Sequence, residues 1–164
     1  MFKGIVLHWT AGGPRCSEID KEHYHWIVQQ DGRIVAGDHA PEDNLNTADG
    51  DYAAHTLGAN TGRIGVSMCG MMGAVESPFS AGSAPLVEGQ VEAFCGLVAD
   101  LCRRYQIPVT PQTVLTHAEV QPTLGIKQRG KWDICWLPGM TAPADPIAAG
   151  NILRAKVLHY MKAA

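Results

Sequence analysis

The sequence lacks the features that mark membrane proteins and nucleic-acid-binding proteins. Among its 164 residues, no segment approaches the roughly 18–20 consecutive apolar residues of a membrane-spanning helix. Its 13 lysines and arginines are outnumbered by 16 aspartates and glutamates, which gives a formal net charge of -3. The chain therefore has neither the basic excess typical of nucleic-acid-binding domains nor an attraction to anionic membrane surfaces. We predict no nucleic-acid partner and no membrane insertion.

The cysteines lack a pairing pattern, and the N-terminal region lacks the apolar core of a signal peptide. The five cysteines are an odd number and form no C-x-x-C motif, which favours reduced thiols over a disulfide framework. The apolar run at residues 5–7 is interrupted by His8 and is too short for a signal-peptide core. We therefore expect a protein that is cytoplasmic as synthesised.

The composition is that of an ordinary globular domain. Hydrophobic residues make up 46% of the chain and charged residues 18%, which is far from the composition of disordered proteins. A chain of this length fits one domain, and we find no repeat, charge run or linker that would divide it. We expect residues 1–164 to form a single domain and a monomer.

Short β-branched runs alternate loosely with helical patterns. The patterns predict strands at residues 4–8, 64–69 and 114–117, a hairpin at 24–36 with an Asp31-Gly32 turn, and helices at 86–105 and from 146 onward. The polar segment 38–60 is predicted to be a long loop, and such loops inside a compact domain are usually functional. Together these elements predict an α/β fold with a central mixed β-sheet flanked by helices.

Two histidines stand at the exits of short apolar strands. His8 follows residues 5–7 and His117 follows residues 114–116. Ligands of open α/β sheets gather outside the carboxyl ends of the strands, and imidazole is a common zinc ligand. Either histidine taken alone is more often a hydrogen-bonded structural residue. A catalytic zinc site needs a third protein ligand, and Asp133 and Cys135 both lie downstream as candidates.

Six segments, read in order, resemble one enzyme family. They are I-V-L-H-W-T-A at 5–11, Y-H-W-I-V-Q-Q-D-G-R-I-V at 24–35, A-A-H-T-L-G-A-N at 53–60, I-G-V at 64–66, T-H-A-E-V at 116–120 and K-W-D at 131–133. The set resembles the zinc-dependent N-acetylmuramoyl-L-alanine amidases, which include amidase-type phage endolysins and the peptidoglycan recognition proteins. The resemblance implies that family's fold, and it implies bacterial peptidoglycan as the partner and substrate.

The resemblance also implies the residues of the metal site. His8, His117 and Asp133 match the three Zn2+ ligands, since the last family motif is a lysine, one residue, and then an Asp or Cys ligand. Cys135 stands at the wrong distance from Lys131 and is interpreted as a packed apolar side chain. Zinc supplies a Lewis acid and activates water, and Lys131 matches the cation that stabilises the oxyanion of amide hydrolysis.

The remaining site residues are also assigned by resemblance. Tyr24 matches a tyrosine that assists catalysis in one branch of the family, whereas another branch uses a glutamate at the position where this chain has Ser67. His55 matches a family histidine near the substrate groove, and Asn60 is a candidate partner in the same loop. Half-buried packing is the alternative interpretation of Tyr24, and ordinary loop polarity is the alternative for His55 and Asn60.

Some questions stay open at this level. The segment between His117 and Lys131 is longer than in compact family members, which leaves Lys127 as a rival to Lys131. We expect a peptidoglycan amidase without a separate cell-wall-binding domain, most simply a phage or prophage endolysin. The alternatives are a cytosolic amidase that recycles muropeptides and a non-catalytic peptidoglycan-binding module.

Overall fold

The computed structural model describes residues 1–163, and its centre is a five-stranded mixed sheet. The strands are β1 (Gly4–Trp9), β2 (Trp26–Val28), β3 (Ile34–Ala36), β4 (Arg63–Met68) and β5 (Val114–Thr116). They lie in the order β3-β2-β4-β1-β5, and only the β2–β3 pair is antiparallel. The predicted α/β fold with a mixed sheet is confirmed.

The helices cover the sheet. They are α1 (Glu18–His23), α2 (Glu88–Tyr105), α3 (His117–Leu124) and α4 (Pro146–Lys162), and a short 3-10 turn spans Pro41–Leu45. The apolar face of α2 is buried in the main core, where Phe94 and Val98 lie with Ile64 of β4 and Leu153 of α4. All six residues of β1 are buried, as expected for a central parallel strand.

The hairpin forms at the predicted place because its turn has the right chemistry. β2 pairs with β3 in the register Ile27 with Val35. Gly32 has a φ of 85°, which glycine adopts without steric cost, and its backbone N–H donates to Gln29.

Two helices were not predicted, and one of them changes the position of a site residue. The predicted strand at 114–117 ends at Thr116, and His117 is the first residue of α3. Thr116 caps α3: its Oγ1 accepts from the backbone N–H of Glu119, whose carboxylate accepts from the backbone N–H of Thr116. Ser17 and Asp20 form the same reciprocal cap at the start of α1, so that Tyr24 ends this helix rather than beginning β2.

None of the helices formed by residues 1–163 combines the length and the apolar character that crossing a bilayer requires.

Candidate metal centre and groove

The register of the sheet brings His8 and His117 together. Leu7 of β1 pairs with Thr116 of β5, and both strands run in the same direction. The next residue of each chain segment, His8 and His117, therefore leaves this pairing at the carboxyl edge of the sheet. Their rings lie edge to face with centroids 4.7 Å apart.

Asp133 joins the two histidines from a distant loop. A backbone hydrogen bond from Ala118 of α3 to the carbonyl of Asp133 anchors this loop beside α3. His8 Nδ1 then lies 3.2 Å from Asp133 Oδ2, and His117 Nδ1 lies 3.3 Å from Asp133 Oδ1. The three side chains are buried, with 1% of His8, 7% of His117 and 6% of Asp133 exposed. Three potential ligand atoms thus lie within 4.8 Å of one another.

The Nε2 atoms of both rings, which are not the atoms nearest Asp133, make hydrogen-bond contacts with other residues of the protein. His8 Nε2 lies 3.1 Å from His55 Nδ1 and 3.3 Å from Thr56 Oγ1. His117 Nε2 donates to Gln128 Oε1 at 2.7 Å. The near nitrogens of both rings are left to face the carboxylate of Asp133.

This donor set fits a tetrahedral divalent cation. Two ligands that each lie about 2.0–2.1 Å from a tetrahedral zinc are about 3.3–3.4 Å apart, close to the observed separations. When both imidazoles carry their proton on Nε2, the facing Nδ1 atoms and the carboxylate oxygens are all acceptors. Buried acceptors that face one another need a shared cation, which is either a proton or a metal ion.

The acid–base properties of the three groups differ. Burial lowers the pKa of His8 to about 4, so this ring is neutral near pH 7. Burial alone would also lower the pKa of His117, but the hydrogen bond and charge of Asp133 outweigh it and raise the pKa above its ordinary value of 6.5. Burial opposes the ionisation of Asp133, yet its close contacts with His117 and His8 in the metal-free protein hold its pKa well below the usual range.

A groove of about 650 Å³ is lined by His117 and Asp133, whereas His8 is almost fully buried and is not among the lining residues. Its walls include Trp9, Tyr24, Tyr52, Leu57, Asn60 and residues 128–133. The ring of Tyr24 lies 5.1 Å from that of His8, centroid to centroid. Burial and the nearby charge of Asp133 raise the pKa of Tyr24, so its phenol stays protonated.

The two rival lysines take different positions. Both lysines are exposed, but Lys131 lines the groove and Lys127 is not among the lining residues. The charge of Lys131 is also felt by both His8 and His117, whose pKa values it pulls downward among weaker influences. The geometry therefore favours Lys131 over Lys127 as the cation of the site.

The two residues that were predicted to bind substrate mainly contact the protein. His55 is buried, and its ring nitrogens lie 3.1 Å from His8 Nε2 and 3.2 Å from the carbonyl oxygen of Arg63. Asn60 lies at the groove wall, where its Oδ1 accepts from the backbone N–H groups of His55 and Thr56. Their substrate contacts stay predictions.

Cys135 lies apart from the three clustered groups. It is buried, which raises the pKa of its thiol to about 12, and its sulfur is not part of the cluster formed by His8, His117 and Asp133. Sequence reasoning missed Gln128, which contacts His117 across a surface loop. No motif marks it, and only its position 11 residues after His117 in the longer loop hints at such a contact.

Solved amidases share this fold. N-acetylmuramoyl-L-alanine amidase LysC from Clostridium intestinale superposes with a TM-score of 0.53 at 15% identity, covering 96% of this chain and 87% of that chain. Staphylococcus aureus hydrolase AmiA gives 0.54 at 17% identity, covering 98% and 73%. Escherichia coli amidase AmiD, solved with anhydro-N-acetylmuramic acid-L-Ala-D-gamma-Glu-L-Lys, gives 0.51 at 22% identity, covering 81% and 52%.

The family itself is established by sequence. No curated protein matches the chain significantly. The profile of the N-acetylmuramoyl-L-alanine amidase family, however, matches residues 2–139, which is most of the chain and includes every residue of the cluster. The chain therefore belongs to the N-acetylmuramoyl-L-alanine amidase family and is a peptidoglycan amidase.

Proposed function

We propose that this amidase uses a zinc ion held by His8, His117 and Asp133 to hydrolyse the amide between N-acetylmuramic acid and L-alanine. The observation that carries the proposal is the spacing of the three ligand groups, with His8 Nδ1 3.2 Å and His117 Nδ1 3.3 Å from the oxygens of Asp133. Nitrogen and carboxylate donors suit zinc, and three protein ligands leave a fourth position open. When bound, the ion supplies a Lewis acid that polarises the amide carbonyl and activates water at neutral pH.

The chain's own side chains supply the other catalytic functions. Lys131 lies at the groove wall beside the ligand Asp133, where its ammonium stabilises negative charge that develops on the carbonyl oxygen. Tyr24 lies beside His8, keeps its phenolic proton and donates it, as a hydrogen bond or as a proton, to the reacting groups of the substrate in the groove. The groove has the volume of a typical ligand site, which is about 300–1,000 Å³.

We assign the enzyme to the endolysin type rather than the recycling type. Two features support this assignment. Tyr24 lies beside His8, and Ser67 occupies the position near the end of β4 where the other branch of the family carries a glutamate. Muramyl peptide is the proposed substrate class, as in the AmiD complex, whose substrate is anhydro-N-acetylmuramic acid-L-Ala-D-gamma-Glu-L-Lys.

The test is hydrolysis of purified peptidoglycan sacculi with and without a chelator. We expect new amino termini that belong to L-alanine, abolished by the chelator and restored by added zinc. A matched reaction on small anhydro-muropeptides separates the two enzyme types, because a recycling amidase prefers them to sacculi. Stoichiometric zinc with no release of L-alanine termini from either substrate would contradict the proposal and favour a binding module.

A further inference from the structure

We propose that one short segment, residues 55–57, orients both histidine ligands of the metal. In this assignment His55 contacts His8 directly. The carbonyl of Leu57 orients the side-chain amide of Gln128, which in turn accepts a hydrogen bond from His117. Each ligand is thereby held with its proton on Nε2 and its Nδ1 lone pair toward the metal. The inference rests on the proposed zinc site and makes His55 a positioning residue rather than a substrate contact.

The contact between His55 and His8 fixes the first ligand. His55 Nε2 lies 3.2 Å from the carbonyl oxygen of Arg63, which accepts and so requires the proton of His55 to be on Nε2. His55 Nδ1 is then an acceptor, and it lies 3.1 Å from His8 Nε2. Thr56 Oγ1 lies 2.8 Å from His55 Nδ1 and 3.3 Å from His8 Nε2, and its single hydroxyl proton cannot serve both nitrogens. His8 therefore donates from Nε2, either to His55 Nδ1 or to Thr56 Oγ1. This leaves His8 Nδ1 unprotonated and directed at Asp133.

The same logic fixes the second ligand. Gln128 Nε2 donates to the carbonyl of Leu57 at 2.7 Å, which sets the orientation of the amide and points Oε1 toward His117. His117 Nε2 donates to that oxygen at 2.7 Å. The backbone N–H of Gln128 also donates to Gln121 Oε1, which fixes the main chain of this residue. His117 Nδ1 is thereby left to bind metal.

The position of His55 suits support better than recognition. Its ring packs on Gly65 of β4 so closely that a Cβ at this glycine would lie 2.5 Å from His55 Cγ. Asn60 fixes the backbone of the same segment by accepting from the N–H groups of His55 and Thr56. Hydrogen bonds from metal-bound histidines to outer partners of this kind set the tautomer and raise ligand basicity.

The test is the zinc affinity of full-length variants, measured by competition with a chromophoric chelator at fixed pH. His55→Phe keeps a ring but removes the acceptor, and Gln128→Met keeps the length of the side chain but removes the amide. Each is expected to weaken zinc binding by about 10–100-fold. His55→Asn, which can present an oxygen near the former Nδ1, and Gln128→Glu, which keeps an acceptor oxygen, are expected to recover most of the loss.

A matched control separates orientation from general destabilisation. His25 is another buried histidine, with its Nε2 bonded to Asn44 and its Nδ1 accepting from the backbone of Gly65, but it contacts none of the three ligands through a hydrogen bond. His25→Phe is expected to lower the melting temperature without changing the zinc affinity. Equal losses of affinity in His25→Phe and His55→Phe, or no recovery in His55→Asn, would overturn the inference.

The wild-type protein gives an independent readout that needs no variant to fold. Long-range proton–nitrogen NMR of the zinc-loaded protein is expected to show His8 and His117 both protonated at Nε2 and metal-bound through Nδ1. Coordination of either ring through Nε2 would overturn the inference. Absence of stoichiometric zinc in the wild type would instead contradict the proposed function, whereas wild-type zinc binding with unchanged affinity in His55→Phe would contradict this inference alone.

Discussion

The guanidinium of Arg154 donates to both carboxylate oxygens of Glu119, at 2.7 Å from Oε1 and 3.0 Å from Oε2. Both residues are buried, and Arg154 also donates to the carbonyl of Val114 at the start of β5. The carboxylate of Glu119 accepts from the backbone N–H of Thr116, directly before the proposed ligand His117. The ion pair therefore ties α4 to the turn that carries one of the proposed ligands.

Removing one partner of this ion pair is expected to destabilise the folded protein. Arg154→Met leaves the buried carboxylate of Glu119 without its counter-charge, and we expect the free energy of unfolding to fall by about 3–5 kcal/mol. The control is Lys156→Met on the same helix, because Lys156 pairs with Glu92 where both side chains are partly exposed. This substitution should lower the free energy of unfolding by no more than about 1 kcal/mol. Urea denaturation of both variants measures the difference, and equal losses would show that burial of the pair does not matter.

The identity of the third ligand is tested by matched substitutions in one loop. Asp133→Ala is expected to lose stoichiometric zinc and activity, as are His8→Ala and His117→Ala, because two remaining donors hold zinc poorly. Cys135→Ser should keep both, since the thiol lies outside the cluster formed by His8, His117 and Asp133. Zinc content by elemental analysis and the L-alanine release assay give the readouts. Loss of zinc in Cys135→Ser but not in Asp133→Ala would reverse the assignment.

Much of the fold could be predicted because local patterns and tertiary structure agree. β1 is a continuous β-branched run and is buried along its whole length. In α2 the spacing of Val91, Phe94 and Val98 coincides with the face that enters the core. The convergence of His8 with His117 also followed from the sequence, because parallel strands end at one edge of a sheet.

The errors have equally physical causes. The apolar run at 114–116 suggested that the strand continues through His117, but Thr116 and Glu119 form a capping box that begins a helix there. That signal is present in the sequence as T-x-x-E. The contacts of His55 and Gln128 are different, because they depend on residues 47 and 71 positions apart that meet only in the folded chain. No local pattern predicts them.

The affinity for zinc is expected to fall on acidification in two stages. A ring must lose its proton before its Nδ1 can bind metal, and the pKa of His117 lies above 6.5 in the metal-free protein. Zinc binding should therefore weaken by about tenfold per pH unit below that pKa. His8, with a pKa of about 4, adds a second proton only near pH 4. Chelator competition between pH 5 and 8 measures how the logarithm of the zinc affinity changes with pH. A change of about two log units per pH unit near pH 6 would contradict this account.

Lys131 and Lys127 form a matched pair for testing the oxyanion function. Lys131→Ala removes the cation at the groove wall, and we expect zinc content to be unchanged while kcat falls by about 10²–10³-fold. Lys127→Ala removes an exposed charge that does not line the groove, so its kcat should stay within about twofold of the wild type. Kinetics on a soluble muramyl peptide avoid the complication of binding to sacculi. A larger loss in Lys127→Ala would move the catalytic role to that residue.

Tyr24 is expected to act as a hydrogen-bond or proton donor, because burial and Asp133 raise its pKa above the ordinary value of 10.0. A group with a raised pKa stays protonated as the pH rises, so the phenol should contribute no change in rate between pH 7 and 10. Tyr24→Phe should lower kcat by about 100-fold or more at every pH in this range, with zinc retained. The pH–rate profiles of the two proteins should then be parallel. If the phenol instead worked as a base after ionising, the wild-type rate would increase with pH, whereas the rate of Tyr24→Phe would not.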